Sequence, residues 1–85
     1  MTRLRLLSRP GCGLCREMRR RVDELLEDRP REWEIVDVDS DAELSGRYGE
    51  SIPVLFVNGR LFAKVRLPPA ARLRLRRAAA RPVRA

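Results

Sequence analysis

An α/β fold is predicted from three features of the sequence. Short alternating or β-branched apolar runs read as strands, an apolar stripe at helical spacing follows the first of them, and Asn58-Gly59 joins the last two. The order is β-α-β-α-β-β-α, a four-stranded mixed sheet with helices on both faces. Strands joined through a helix are expected to be parallel with a right-handed crossover, and the hairpin adds an antiparallel pair. The 85 residues and 44% apolar composition suit one domain, 1–85, with one core. Residues 81–85 are expected to form a disordered basic tail.

Taken in order, Thr2–Leu7 alternates polar and apolar residues and reads as the first strand, broken by Pro10 and Gly11. From Gly13 to about Asp28, Leu14, Met18, Val22, Leu25 and Leu26 share one helical face. Glu17–Arg21, Arg19–Asp23 and Arg20–Glu24 are spaced to pair on the other. Trp33–Val38, rich in β-branched residues, is the second strand, with Trp33 a partly buried packing residue. Asp39 or Ser40 is placed to cap a short helix to about Tyr48, and Gly49 to terminate it. Val54–Val57 and Leu61–Val65 flank the Asn58-Gly59 turn. Pro68 and Pro69 suit the opening of a last helix to about Ala80, with Ala71, Leu75, Ala78 and Ala79 inward and Leu73 outward.

The chain is organised around Ser8-Arg9-Pro10-Gly11-Cys12-Gly13-Leu14-Cys15. Two cysteines three apart in the first turn of a helix face the same side and can close a small disulfide. Cys12 falls where unpaired N–H groups and the helix dipole favour an anion, and the thiolate is the attacking form of cysteine. Cys15, one turn inside, suits the resolving role.

Composition removes other chemistries. The chain has no histidine, which excludes Ser–His and Cys–His nucleophile arrangements and the commonest metal ligand. Two sulfurs without imidazole fall short of the four ligands zinc wants. A metal reading would need a dimer sharing four thiolates or an iron–sulfur cluster completed by external thiols. The cysteine pair is no secreted disulfide framework, and neither a leader nor a membrane-length apolar run is present, so a cytoplasmic setting is expected.

Charge is divided unevenly: residues 1–50 carry a net −2, whereas residues 51–85 carry +9 with no acidic residue. Arg outnumbers Lys 18 to 1, which coding bias toward arginine codons explains; an anionic partner met by the C-terminal half is the functional alternative. Arg72, Arg74, Arg76, Arg77, Arg81 and Arg84 raise a nucleic-acid-binding module as the competing class. Only Phe56 and Phe62 follow Pro53, however, so stacking aromatics are scarce, and nucleic acid is not the expected partner.

Three landmarks in sequence order carry a family resemblance. They are Arg9-Pro10-Gly11-Cys12-Gly13-Leu14-Cys15, the Tyr48-Gly49-Glu50-Ser51-Ile52-Pro53 segment, and the hairpin directly after it. Over residues 2–80 the chain resembles a glutaredoxin-like member of the thioredoxin fold, of the small bacterial group with a variable CxxC. The resemblance implies a dithiol disulfide reductase acting on protein or small-molecule disulfides, with Cys12 and Cys15 catalytic. It implies a cis Ile52–Pro53 bond beside the sulfurs, with the Ile52 backbone open to an extended substrate. Arg9, Gly13 and Leu14 would complete the substrate contacts. No cofactor beyond the redox-active disulfide and no metal is implied; a reductase or thiol donor is the implied partner, and a monomer is expected. Two departures bear on glutathione. Gly13-Leu14 replaces the usual Pro-Tyr, and Leu67-Pro68-Pro69-Ala70 replaces the Gly-Gly-Asp-type turn that holds the γ-glutamyl end. Weak or absent glutathione-dependent turnover is therefore expected.

Overall fold

The computed structural model describes residues 1–84. Strand β1 (Thr2–Ser8) leads into helix α1 (Gly13–Leu25), strand β2 (Arg31–Asp37), a 3₁₀ turn (Val38–Ser40) and helix α2 (Ala42–Tyr48). Strands β3 (Val54–Val57) and β4 (Arg60–Lys64) and helix α3 (Ala71–Ala80) follow. The sheet order is β2-β1-β3-β4, with β1 parallel to β2 and antiparallel to β3. The mixed α/β architecture is the one the sequence predicts.

The sheet separates two apolar clusters. On one side Leu4, Leu6, Leu55 and Val57 pack against Cys15, Met18 and Val22 of α1, Leu26 just after it, and Leu75 and Ala79 of α3. On the other, Leu7, Val38 and Val54 pack with Leu44, Tyr48 and Phe56 under α2. Helix α2 has only seven residues, so it covers only part of that face. Beyond its reach Arg3 and Arg5 meet Glu32 and Glu34 in exposed salt bridges.

Several boundaries differ from the sequence expectation for identifiable reasons. Helix α1 stops at Leu25 rather than near Asp28, and its inward stripe runs through Cys15, Met18 and Val22, leaving Leu14 39% exposed. Asp23 does not pair with Arg19; it accepts from Arg31 Nε at 2.7 Å and Trp33 Nε1 at 2.9 Å, tying α1 to β2. Arg19 instead lies over the Trp33 ring. Strand β2 ends at Asp37 because Val38 turns into the core within the 3₁₀ segment, and Asp41, not Asp39 or Ser40, caps α2 through the Glu43 and Leu44 N–H groups. Strand β4 ends at Lys64, since Val65 adopts φ 67°. Helix α3 buries Ala71, Leu75 and Ala79 and leaves Leu73 outward, as the spacing predicts.

The turn and the tail form one unit. Asn58 and Gly59 both have positive φ, the requirement of a two-residue hairpin turn matched to strand twist. Asn58 is 2% exposed: its Oδ1 accepts from Arg3 N, and its Nδ2 donates to the carbonyls of Ala78, Ala79 and Arg81. Arg84 N donates to Asn58 O at 2.8 Å, and Arg60 donates to Pro82 O. The tail expected to be disordered is thus hydrogen-bonded to the hairpin through Arg84; Ala85 lies outside the described residues. A side chain at Gly59 would meet the Arg84 backbone at 2.9 Å.

Candidate functional site

Strand β1 ends at Ser8, and Arg9 to Gly11 reverse the chain so that α1 begins beside the strand end, with Gly11 at φ 79°. Cys12 is the N-cap: its backbone is extended and its Sγ accepts from Cys15 N at 3.1 Å. Cysteine here takes the place Ser, Thr or Asp usually fills, because the cap position needs an acceptor for an orphan helix N–H. The first turn of α1 holds no acidic residue, so the positive end of the helix is left for the sulfur.

Cys12 and Cys15 are joined by a disulfide, with Cα atoms 5.3 Å apart. Their environments differ. Cys15 is 4% exposed and belongs to the core, whereas Cys12 is half-buried and packs at the core's edge.

The remaining predicted residues are placed as follows. Ile52 is half-buried and packs against both apolar clusters, including the one that contains Cys15. The Ile52–Pro53 bond is cis, and Pro53 is fully buried. Gly13 is exposed at the first position of α1. Leu14 lines an open groove of about 270 Å³ together with Met18, Val65 and Leu67, and with the charged Glu17, Arg21 and Arg66.

Arg9 is held away from a free cationic role. Its Nε and Nη2 meet Asp39 Oδ2 and Oδ1 at 2.6 and 3.0 Å, and its Nη1 donates to Gly49 O at 3.2 Å. The Arg9 hydrogen bond, helped by one from Ser45, holds the Asp39 carboxyl below its ordinary range despite some desolvation. Arg9 therefore braces the cysteine loop against the segment leading to Pro53.

Two residues at the site were not legible as such. Asp39, read as a helix cap, is the partner of Arg9. Val65 donates its N–H to Pro53 O at 2.7 Å from a backbone conformation rare for a β-branched residue. An Arg–Asp pair thirty residues apart leaves no local signal, and nothing in a single sequence marks Val65. Among the described residues no three His, Cys, Asp or Glu side chains group as metal ligands, and no helix is long and apolar enough to cross a membrane.

A β2-β1-β3-β4 sheet, helices on both faces and a CxxC disulfide at the start of α1 together define a thioredoxin-like fold with a redox-capable cysteine pair. Residues 3–76 match the family model described as Glutaredoxin-like domain (DUF836), and the chain belongs to that family. No match was found among curated proteins.

Proposed function

We propose that the protein is a thiol–disulfide oxidoreductase that reduces protein or small-molecule disulfides. The observation that carries this reading is the Cys12–Cys15 disulfide across the first turn of α1, with Cys12 half-buried and Cys15 in the core. In the reduced protein the Cys12 thiolate attacks a substrate disulfide. The Cys12–substrate S–S bond forms, the substrate's own S–S bond breaks, and one substrate sulfur leaves to take a proton from water. Cys15 then attacks Cys12 Sγ and closes the intramolecular disulfide. The second substrate sulfur departs as a thiol carrying the proton Cys15 gives up. Two electrons have passed to the substrate, and a reductase or dithiol donor restores the dithiol.

The chain's other residues serve binding and orientation. Pro53 offers no N–H, and the Ile52 backbone is read as the partner of an extended substrate segment. Gly13 puts no side chain in the approach to Cys12, and the groove beside Leu14 takes substrate side chains. Arg9 acts as a positioning residue. Because Leu67-Pro68-Pro69-Ala70 stands where typical glutaredoxins carry a Gly-Gly-Asp-type glutathione-holding turn, a dithiol donor is the expected reductant. A glutathione mixed disulfide turned over as fast with glutathione as with a dithiol donor would contradict this.

Disulfide reduction by the wild type, Cys12→Ser and Cys15→Ser tests the assignment. Cys12→Ser is expected to be inactive, and Cys15→Ser to accumulate a mixed disulfide detectable by mass spectrometry. Unimpaired reduction by Cys12→Ser would refute the reading.

A further inference from the structure

We infer that the groove between β4 and α3 docks an acidic peptide segment of a partner protein in which acidic and apolar residues alternate. The groove measures about 530 Å³ and is lined by Arg60 of β4, Arg74 and Arg77 of α3, and Arg81 just past it, together with Leu61 and Phe62. None of these four arginines forms a salt bridge among the described residues. Arg76, on the same helix, behaves differently and binds Asp28, just past α1, through two hydrogen bonds. Residues 51–85 contain no acidic residue, so this part of the chain supplies no side-chain carboxylate of its own. The surface is complementary to negative charge.

The groove is partly ordered before anything binds. Arg60 Nη1 donates to Pro82 O at 3.2 Å, and the Arg74 guanidinium lies 6.0 Å from the Phe62 ring centroid. Side chains already held in place lose less freedom on binding, and guanidinium groups match carboxylates with paired hydrogen bonds. Strand β4 is an edge of the sheet, and Leu61 is 50% exposed. A segment lying along that edge with acids at every second residue would turn its carboxylates to the arginines and its apolar side chains to Leu61 on the opposite face, which pairs with Phe56. Nucleic acid fits less well, because Phe62 is half-buried under Arg74 and offers no open face for a base.

Position separates this surface from the dithiol. Lys64 pairs with Val54, next to Pro53, whereas Arg60 pairs with Val57 at the hairpin end of the strand. A segment docked near Arg60 and Leu61 leaves Cys12 accessible.

The test uses the oxidised full chain and a fluorescein-labelled peptide of alternating glutamate and leucine, followed by anisotropy, so it does not depend on turnover. Binding is expected to weaken at least about tenfold in Arg74→Glu/Arg77→Glu, equivalent to about 1.4 kcal/mol. The charge-matched Arg20→Glu/Arg47→Glu, on other surfaces, is expected to bind as the wild type does. Reduction of a small disulfide is expected to be unchanged in the α3 variant. If charge reversal prevents folding, Arg74→Gln/Arg77→Gln carries the same comparison. Absence of peptide binding, equal weakening in both double variants, or displacement of the peptide by a tighter-binding single-stranded oligonucleotide of equal charge would each overturn the inference.

Discussion

Arg9 and Asp39, thirty residues apart, form a two-point ion pair at 2.6 and 3.0 Å, and the same guanidinium reaches the Gly49 carbonyl. The cysteine loop, the 3₁₀ turn and the approach to Pro53 are thereby fastened at one point. A carboxylate so close offsets the charge Arg9 would otherwise bring to Cys12. Arg9→Ala is therefore expected to lower stability and disulfide reduction while leaving the pH profile of Cys12 alkylation nearly unmoved. A shift of that profile by a full pH unit would show Arg9 acting directly on the thiolate.

The sulfurs themselves are expected to separate by reactivity. Cys12 occupies the N-cap of α1 with no acidic residue in the first turn, whereas Cys15 is 4% exposed. In the reduced protein iodoacetamide should modify Cys12 at a pH well below that needed for Cys15. Mass-spectrometric mapping across the pH range checks this, and equal rates at the two positions would remove the basis for their separate roles.

Asn58 is the residue on which the turn, β1 and the end of α3 depend together. Asn58→Ala deletes the acceptor for Arg3 N and the donor shared by the carbonyls of Ala78, Ala79 and Arg81, at a position with φ 50°. Unmet buried polar groups and a left-handed alanine each cost on the order of 1–3 kcal/mol. A loss of about 2–4 kcal/mol in urea denaturation is expected. Alanine at the exposed Arg72 of α3 should instead change stability little.

Acid should loosen the contact between α1 and α3. The hydrogen bond from Arg76 holds the Asp28 carboxyl down to about 2, and Arg76 also donates to Leu25 O. A carboxyl whose folded value lies below its unfolded one, near 3.9, adds stability that is complete above that unfolded value and is lost as pH falls toward the folded one. Stability measured from neutral pH downward should therefore begin to lose this contribution below about pH 4. Asp28→Asn should remove that part of the dependence. An unchanged acid limb in the variant would show the pair to be inert.

Much of the architecture was readable from residue order because its signals are local. The apolar spacing of α1, the Asn58-Gly59 turn, and the Ala71, Leu75 and Ala79 stripe of α3 each depend on neighbours within a turn or a hairpin. The cysteine pair was readable for the same reason, since three residues at a helix start suffice to bring two sulfurs together.

Pairings between distant segments were decided only by the fold. Sequence spacing put Leu14 on the buried stripe, but the sheet meets α1 along Cys15, Met18 and Val22, so Leu14 faces a groove instead. Arg9 could be read as a free cation until the chain brought Asp39 to it, and the tail could be read as disordered until Asn58 met Arg81 and Arg84. Local periodicity records which face of an element is apolar. Which charged or polar partner waits opposite is set by how the elements pack.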